Sequence, residues 1–168
     1  MNIFIHHRDL RINDNTSLIK MSSEVKNIIP IFIFTPEQID KSKNKYFSNI
    51  LVQFMCETLI ELKDDYKKNK SILNFYYGNS LDVIKKLHKK YTINSIGFNA
   101  DYSPFAKKRD NEIIKWGNKN DVIIFCEEDM LLVPIMTGNT FKKNKDEPYK
   151  VFTPFKNYLK STYNVEDV

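Results

Sequence analysis

The sequence predicts an α/β protein with a Rossmann-like, doubly wound sheet of five parallel strands in the order 3-2-1-4-5 and helices on both faces. Strand-like and helix-like segments alternate five times along the 168 residues. The strand-like runs are mostly apolar, which is typical of strands buried on both faces. Right-handed crossovers with one reversal of winding after the third strand give the order. The predicted strands are residues 2–5, 27–34, 71–77, 95–99 and 122–125.

The first predicted strand leads into a charged turn and then into a helix over residues 16–23. Asp14 and Asn15 supply N-cap chemistry for that helix. Only three arginines occur among the 26 basic residues, and two of them, Arg8 and Arg11, lie in this turn. Because a guanidinium group favours bidentate pairing, the turn is predicted to contact a ligand or to hold a structural Arg–Asp pair.

The second predicted strand ends at Thr35-Pro36, because proline forces the chain out of a sheet. After a polar loop, apolar residues recur at three- and four-residue steps and predict a helix over residues 46–66. Its predicted inward stripe comprises Phe47, Leu51, Phe54, Met55, Leu59, Leu62 and Tyr66.

Turn and cap residues delimit the remaining elements. After the third strand, Ser80 caps a predicted helix over residues 80–90. Its inward residues are predicted to be Leu81, Ile84, Leu87 and Tyr91. After the fourth strand, Ser103-Pro104 is a helix start, and this helix should end near Gly117. The fifth strand precedes a predicted acidic loop at residues 127–129.

The alternation stops after residue 129. Residues 130–136 are apolar and irregular, residues 137–148 are predicted to form a mobile loop, and a short helix is predicted over residues 156–161. We therefore expect an α/β domain at residues 1–135 and a linker-like tail at residues 136–168. The tail aromatics Phe152, Phe155 and Tyr158 should fold back on the sheet or dock on a partner.

Composition indicates a globular protein of the cytoplasm or nucleus. The hydrophobic fraction is 42% and the charged fraction 28%, and no apolar run is long enough to cross a membrane. Cys56 and Cys126 are predicted to be buried thiols rather than a disulfide or a metal site. The net charge of +5 permits a nucleic-acid partner, but scattered lysines favour a solvated surface.

Three spaced motifs carry a family resemblance. Residues 6–18, HHRDLRINDNTSL, resemble the opening signature of the DNA photolyase/cryptochrome family, and depart from it where Ile5, His6 and His7 replace Trp, Phe and Arg. Residues 98–105, FNADYSPF, with Arg109-Asp110 resemble the family's fourth-strand motif. Residues 136–139 and 149–156 are similar to the segment that closes its α/β domain. The sequence is therefore identified as a member of this family.

The resemblance implies that a larger helical domain is missing from the present chain. In the family that domain follows the α/β domain, binds FAD, receives the DNA lesion and carries the tryptophans that reduce the flavin. We expect this chain to be truncated or split and not competent for DNA repair alone. A separately encoded FAD-binding helical domain is the expected partner, and DNA would be contacted only through it.

The resemblance also implies that the α/β domain holds an antenna chromophore at the carboxyl ends of the strands. The residues predicted to line that site are Arg8, Phe34, Thr35, Phe47, Asp101 and Tyr102. Asp101 lies where deazaflavin-binding relatives present an acidic contact. Phe105 and Ala106 fall where folate-binding relatives have Asn and Glu, and Thr35 stands where many relatives have Asp. A deazaflavin or flavin is therefore favoured over a folate, or no antenna binds.

Other interpretations stay open. Asp101 could instead pair with Arg8 or Arg11 as a structural brace. A free-standing nucleotide-binding module or a hydrolase is disfavoured, since neither G-x-G-x-x-G nor G-x-S-x-G occurs. His6 and His7 are weak pocket candidates. The alternative function is a cryptochrome-like signalling or interaction remnant without a chromophore.

Overall fold

The structure is a computed structural model that describes residues 1–131 and 147–163. The strands are β1 (Asn2–His6), β2 (Ile28–Phe34), β3 (Asn74–Tyr77), β4 (Ser95–Ala100) and β5 (Ile123–Glu128). The helices are α1 (Thr16–Glu24), α2 (Pro36–Ile39), α3 (Asn49–Lys68), α4 (Ser80–Tyr91), α5 (Pro104–Lys119) and α6 (Phe152–Thr162).

The five strands form one sheet in the order β3-β2-β1-β4-β5, which confirms the predicted topology. β1 pairs in parallel with β2 and with β4, and β2 pairs in parallel with β3. The winding reverses between β1 and β4. The loops that follow these two strands therefore meet at the position where doubly wound proteins bind ligands.

Each face of the sheet has its own apolar core, as a doubly wound fold requires. On one face, Ile5 and Phe98 pack with Ile84 of α4 and Ile113 of α5. The other face carries two smaller clusters. One comprises Phe32, Leu59, Leu62, Tyr66 and Leu73, and the other comprises Phe4, Met21 and Phe125.

The prediction for the long helix was half wrong. α3 begins at Asn49, so Phe47 precedes it, and only Leu59, Leu62 and Tyr66 are buried within it. At 100° per residue, Leu51 lies roughly 80° and Phe54 roughly 140° around α3 from the buried Leu59, whereas the partly buried Met55 lies only roughly 40° from it. Leu51 and Phe54 are accordingly exposed.

Three further predictions were wrong. Cys56 is exposed rather than buried, because it lies roughly 100° around α3 from the inward Met55. Tyr91 is exposed, because it is the last residue of α4 and its ring lies beneath Lys90 Nζ. Residues 127 and 128 belong to β5 and not to a loop, since the backbone N–H of Glu127 donates to Ser17 Oγ at 2.8 Å and holds the strand against α1.

Residues 1–127 form one compact unit and residues 128–168 a second. In the second unit α6 begins at Phe152, four residues earlier than predicted. The ring of Tyr149 packs against those of Phe155 and Tyr158, with centroids 5.6 and 5.5 Å away. The predicted domain boundary at 135/136 and most of the predicted mobile loop lie outside the described residues. No helix within residues 1–131 or 147–163 has the length and apolar character needed to cross a membrane.

Candidate functional site at the carboxyl ends of the strands

Asp9 is the centre of a buried polar network at the point where the winding reverses. Its Oδ1 accepts the backbone N–H of His7 at 2.9 Å. Its Oδ2 accepts the side-chain amides of Asn15 at 3.0 Å and Asn99 at 2.8 Å. Burial by itself would raise the pKa of Asp9, but the contacts with the His6 ring and the His7 amide outweigh it and lower the pKa to about 2. The carboxylate is therefore ionised at neutral pH.

Asn99 joins the loop after β1 to the end of β4 and the start of α1. Its Nδ2 also donates to Asn15 Oδ1 at 2.8 Å, and its Oδ1 accepts the backbone N–H of Ser17 at 2.9 Å. Ser17 Oγ in turn donates to the carbonyl oxygen of Phe98 at 2.8 Å. These side chains satisfy one another, so the reversal point is filled by the chain itself.

The ring of His6 is held in one tautomer by its neighbours. Nδ1 lies 2.9 Å from the carbonyl oxygen of Asp9, which can only accept, so Nδ1 carries the proton. Nε2 then accepts from the hydroxyl of Tyr66 at 2.7 Å. Burial, and then the negative charge of Asp9, raise the pKa of Tyr66, so its hydroxyl keeps its proton. The pair links β1 to α3.

His7 follows directly after His6, and its side chain, which is 9% exposed, faces Asp110 of α5. Its Nε2 lies 3.9 Å from Asp110 Oδ1, without a hydrogen-bond partner among the described residues. Burial, and then the positive charge of Arg109, lower the pKa of His7 to about 3. Burial likewise raises the pKa of Asp110, although Arg109 Nε donates to its Oδ1 at 2.8 Å. The imidazole is therefore neutral at pH 7.

The structure brings two of the six predicted site residues together. Arg8 Nε lies 3.3 Å from Asp101 Oδ2, and the Arg8 side chain is 67% exposed whereas that of Asp101 is 10% exposed. Asp101 Oδ1 also accepts the backbone N–H of Ser103 at 2.9 Å, at the start of α5. Burial opposes ionisation, but the Ser103 bond and the Arg8 charge hold the pKa of Asp101 below its usual value. The second arginine of the turn, Arg11, donates instead to the carbonyl oxygen of Asp14.

The other predicted site residues line the same edge of the sheet at separate places. Phe34 packs edge-on against Phe32, with ring centroids 4.9 Å apart, and lies tilted against Phe75 at 6.0 Å. Thr35 is buried and caps α2. Phe47 is partly buried in the loop before α3, and Tyr102 is partly buried after β4.

Two open grooves flank this edge. One, of about 220 Å³, lies between α2 and the start of α3 next to Phe47. Its lining residues are Glu37, Gln38, Asn44, Tyr46, Ser48, Leu51, Val52 and Met55. The other, of about 210 Å³, lies between α4 and α5 and includes Thr35. The grooves, unlike the filled reversal point, leave room for a ligand.

Sequence reasoning missed the network around Asp9. Asn15 entered the prediction only as a helix cap, although its side chain both accepts the N–H of Leu18 and donates to Asp9. Asn99 was assigned to the fourth strand without a role. A signal was available, because Asp9, Asn15 and Asn99 all lie within the motifs that carry the family resemblance.

These features define a class of protein. A doubly wound parallel sheet, with arginine and carboxylate groups after its central strands, makes this chain a Rossmann-like α/β domain. The sequence profile described as DNA photolyase matches residues 2–167. The chain therefore belongs to the DNA photolyase family, and it covers the N-terminal α/β domain of that family.

Individual relatives agree with this assignment. The chain is 30% identical to a deoxyribodipyrimidine photo-lyase of Buchnera aphidicola, over 92% of this chain and 32% of the relative. It is 27% identical to cryptochrome-1 of Anopheles gambiae, over 72% of this chain and 23% of the relative. The chain thus spans about a third or less of these two relatives.

Several solved structures are similar over almost the entire chain, and one of them is 34% identical in sequence. It is the archaeal photolyase from Sulfolobus tokodaii, a structure with two FAD molecules that implies a novel light-harvesting cofactor. The TM-score is 0.82 with 34% sequence identity, over 99% of this chain and 36% of that one.

Proposed function

We propose that this chain is the antenna domain of a photolyase-like, light-dependent DNA-repair system, and that it binds a flavin or deazaflavin at the carboxyl ends of its strands. The observation that carries the proposal is the groove between α2 and the start of α3, whose lining includes Tyr46, Leu51 and Met55, on a fold whose 34% identical relative is a structure with two FAD molecules. A planar ring needs such apolar walls with a few polar groups at its margin.

Asp101 and Arg8 supply the polar margin in this proposal. The Arg8 guanidinium is mostly exposed even while it contacts Asp101, so it can move to a ligand without leaving a buried cation behind. Asp101 is ionised, and its carboxylate would accept a hydrogen bond from the polar edge of a flavin-like ring. The folate alternative has weaker support, because Phe105 and Ala106 provide neither an amide nor a carboxylate.

Titration of the purified chain with FMN, FAD, a deazaflavin and a reduced folate, followed by absorbance and fluorescence, tests the proposal. We expect the flavins or the deazaflavin to bind and the folate not to bind. Asp101→Ala should weaken that binding by about 1.5–3 kcal/mol, roughly tenfold to a hundredfold, because a charge-assisted hydrogen bond is lost.

Asp121→Asn is the matched control, since Asp121 is exposed and precedes β5 at the opposite end of the strands. It should bind the chromophore as the wild type does. The antenna proposal fails if no chromophore binds the wild type. It fails also if Asp101→Ala binds equally well but melts at a lower temperature, because the carboxylate is then only a brace between Arg8 and Ser103.

We propose further that FAD chemistry and DNA binding reside in a helical-domain partner. Apart from an antenna flavin, the purified 168-residue chain should then carry no FAD, and it should show no light-dependent reversal of thymine dimers. Mixing it with a helical-domain polypeptide of the family should restore reversal, measured as the loss of dimers under blue light. Dimer reversal by this chain alone would contradict the division of roles.

A further inference from the structure

β3 is an edge strand, and the residues around it are apolar and exposed. It pairs with β2 and lies at the end of the sheet order, so no strand within residues 1–131 or 147–163 covers its outer side. Phe75 and Tyr77 are 41% and 63% exposed, and Ile72, just before the strand, is 72% exposed. Exposed apolar side chains along a free strand mark a place where another strand can pair.

The sequence around β3 lacks the residues that usually protect a free strand. Residues 71–81, SILNFYYGNSL, contain neither a charged residue nor a proline, in a chain with 28% charged residues. Charged side chains and prolines are common means by which proteins prevent pairing between sheets. The strand at the opposite end of the sheet, β5, ends in Glu127 and Glu128. β3 has only its length of four residues to limit pairing.

The pairing with β2 shows which backbone groups of β3 point outward. Phe34 is aligned with Tyr77, and the N–H of Gly78 donates to the carbonyl oxygen of Phe34 at 3.0 Å. In a parallel pair a residue bonds to the two neighbours of the residue with which it is aligned, so the backbone groups of Tyr76 and Gly78 face β2. Because the direction alternates along a strand, the N–H and C=O groups of Phe75 and Tyr77 face outward.

Two copies of β3 are complementary to each other in an antiparallel arrangement. Around a two-fold axis at Tyr76, Phe75 of one copy lies opposite Tyr77 of the other, and both residues have outward backbone groups. Residues placed in this way exchange both of their N–H···O=C bonds. The exposed rings of Phe75 and Tyr77 lie on the same face of the sheet, so they also pack as cross-strand pairs.

The charges at the two ends of β3 favour the same arrangement. The carboxyl end is flanked by the first turns of α2 and α4, which carry Glu37 and Asp82. The amino end is flanked by the ends of α3 and α4, where Lys67, Lys68, Lys70, Lys89 and Lys90 outnumber Asp64 and Asp65. An antiparallel pair places the basic end of each copy beside the acidic end of the other, so a second copy is attracted in this orientation.

We propose that the outer side of β3 is a self-association site, through which two copies of this chain form a symmetric dimer with one continuous sheet. Tyr76 lies at the two-fold axis, and Phe75 of each copy pairs with Tyr77 of the other. Because β3 is short, the contact is small and the dimer forms only at high protein concentration. The loops after β1 and β4 stay uncovered, since both strands lie inside the sheet, so the inference does not depend on the chromophore.

Sedimentation velocity of the 168-residue chain, at concentrations from about 5 to about 500 μM, tests the association. We expect a reversible equilibrium between monomer and dimer. Tyr77→Lys should raise the dissociation constant of the dimer roughly tenfold or more, because it places a charge in the paired strand of both copies. A wild-type chain that stays monomeric throughout would overturn the proposal, and an extended peptide of another protein would become the candidate occupant.

Ile123→Lys is the matched control, since Ile123 is 58% exposed and belongs to β5, the strand at the opposite end of the sheet. This variant should dimerise as the wild type does. Urea unfolding of both lysine variants shows whether either substitution unfolds the chain. Equal losses of dimer in Tyr77→Lys and Ile123→Lys would overturn the proposal, because the association would then not be specific to β3.

Disulfide cross-linking tests the two-fold arrangement itself, in a Cys56→Ser background that removes the exposed native thiol. Tyr76→Cys should give a cross-linked dimer under mild oxidation, because Cα atoms directly opposite in an antiparallel pair lie about 4.5–5.5 Å apart, within the range of a disulfide. Ile72→Cys should not cross-link, although Ile72 is 72% exposed, because antiparallel pairing carries it away from Ile72 of the other copy. Cross-linking of Ile72→Cys at an equal rate, or none of Tyr76→Cys, would overturn the arrangement.

Discussion

Asp9 and His7 are titratable groups that both make the folded chain less stable in acid. In the folded chain Asp9 is charged, whereas His7 is neutral. Asp9 must remain charged, because Asn15, Asn99 and the His7 amide all donate to it. His7 must remain neutral, because it is buried beside Arg109. Each has a pKa that is lower in the folded chain than in the unfolded chain. The unfolded state therefore takes up more protons as the pH falls, and both groups lose their stabilising contribution on acidification.

The two groups act in different pH ranges. The contribution of His7 is complete above 6.5, the ordinary pKa of a histidine in an unfolded chain, and is lost as the pH falls towards its folded value of about 3. The contribution of Asp9 to stability is complete above pH 3.8, the ordinary pKa of its carboxyl group, and is lost as the pH falls towards its folded value of about 2. Measurements between pH 6.5 and 4.5 therefore report on His7 with little interference from Asp9.

We expect His7→Gln to flatten the dependence of stability on pH in this range. The wild type should lose on the order of 2 kcal/mol between pH 6.5 and 4.5 through His7, because each pH unit below the unfolded pKa costs up to about 1.4 kcal/mol. Urea unfolding at several pH values measures the slope. A variant with the same slope as the wild type would show that His7 is solvated, or that it gains a proton without penalty.

The element whose role differs most between sequence and structure is α3. Leu59, Leu62 and Tyr66 in its carboxyl half are buried against Phe32, and in its amino half only Met55 packs against this cluster. Ile50 and Phe54 are 78% and 66% exposed there. Phe54 was predicted to face inward, but it lies roughly 140° around the helix from Leu59, so counting three- and four-residue steps did not separate the inner side of α3 from the outer side.

Stability should therefore be insensitive to charge at the amino half of α3. We expect Ile50→Lys and Phe54→Lys to change the free energy of unfolding by less than about 0.5 kcal/mol, as exposed positions do. Leu59→Ala, in the other half, should cost about 2–5 kcal/mol. Urea unfolding measures all three. A large loss in Phe54→Lys would mean that these residues are covered in solution.

Sequence reasoning succeeded where a feature is local and failed where it depends on register. The Ser103-Pro104 start of α5 is a local signal, and the helix begins at Pro104. The Arg8–Asp101 contact joins two motifs and was foreseen as one of two alternatives. The bonds from Asn99 to Asp9 and Asn15 could not be predicted in this way, because they require β1 and β4 to be aligned to the residue, 90 and 84 positions apart in sequence.

At the scale of the whole molecule, the fold depends on close packing around Gly97 in β4. A Cβ atom at this position would lie 2.6 Å from Met21 Sδ and 2.8 Å from Phe4 Cδ2. Phe4 and Met21 are fully buried on the face that α1 covers. The glycine thus lets α1 approach the two central strands, and side chains placed there would push helix and sheet apart.

Gly97→Ala should destabilise the chain by roughly 1–3 kcal/mol through overpacking. Met21→Ala opens space at the same point, so the double variant should lose less than the sum of the two single variants. Thermal or urea unfolding of the four proteins completes the cycle. Strict additivity would contradict the proposed clash between the added methyl group and Met21.

The position of β1 in the middle of the sheet has a consequence for protein synthesis. β1 leaves the ribosome before the other four strands of the sheet, yet Asn2 pairs with Ser95, a residue made more than ninety positions later. At cellular elongation rates of about 5–20 residues per second, this leaves one edge of an apolar strand uncovered for roughly 5–20 seconds. The carboxylate of Asp9 lacks its hydrogen bond from the side-chain amide of Asn99 for about the same time, because the two residues are 90 positions apart. The nascent chain is therefore exposed to aggregation until β4 emerges, and chaperones have their main period of action in that interval.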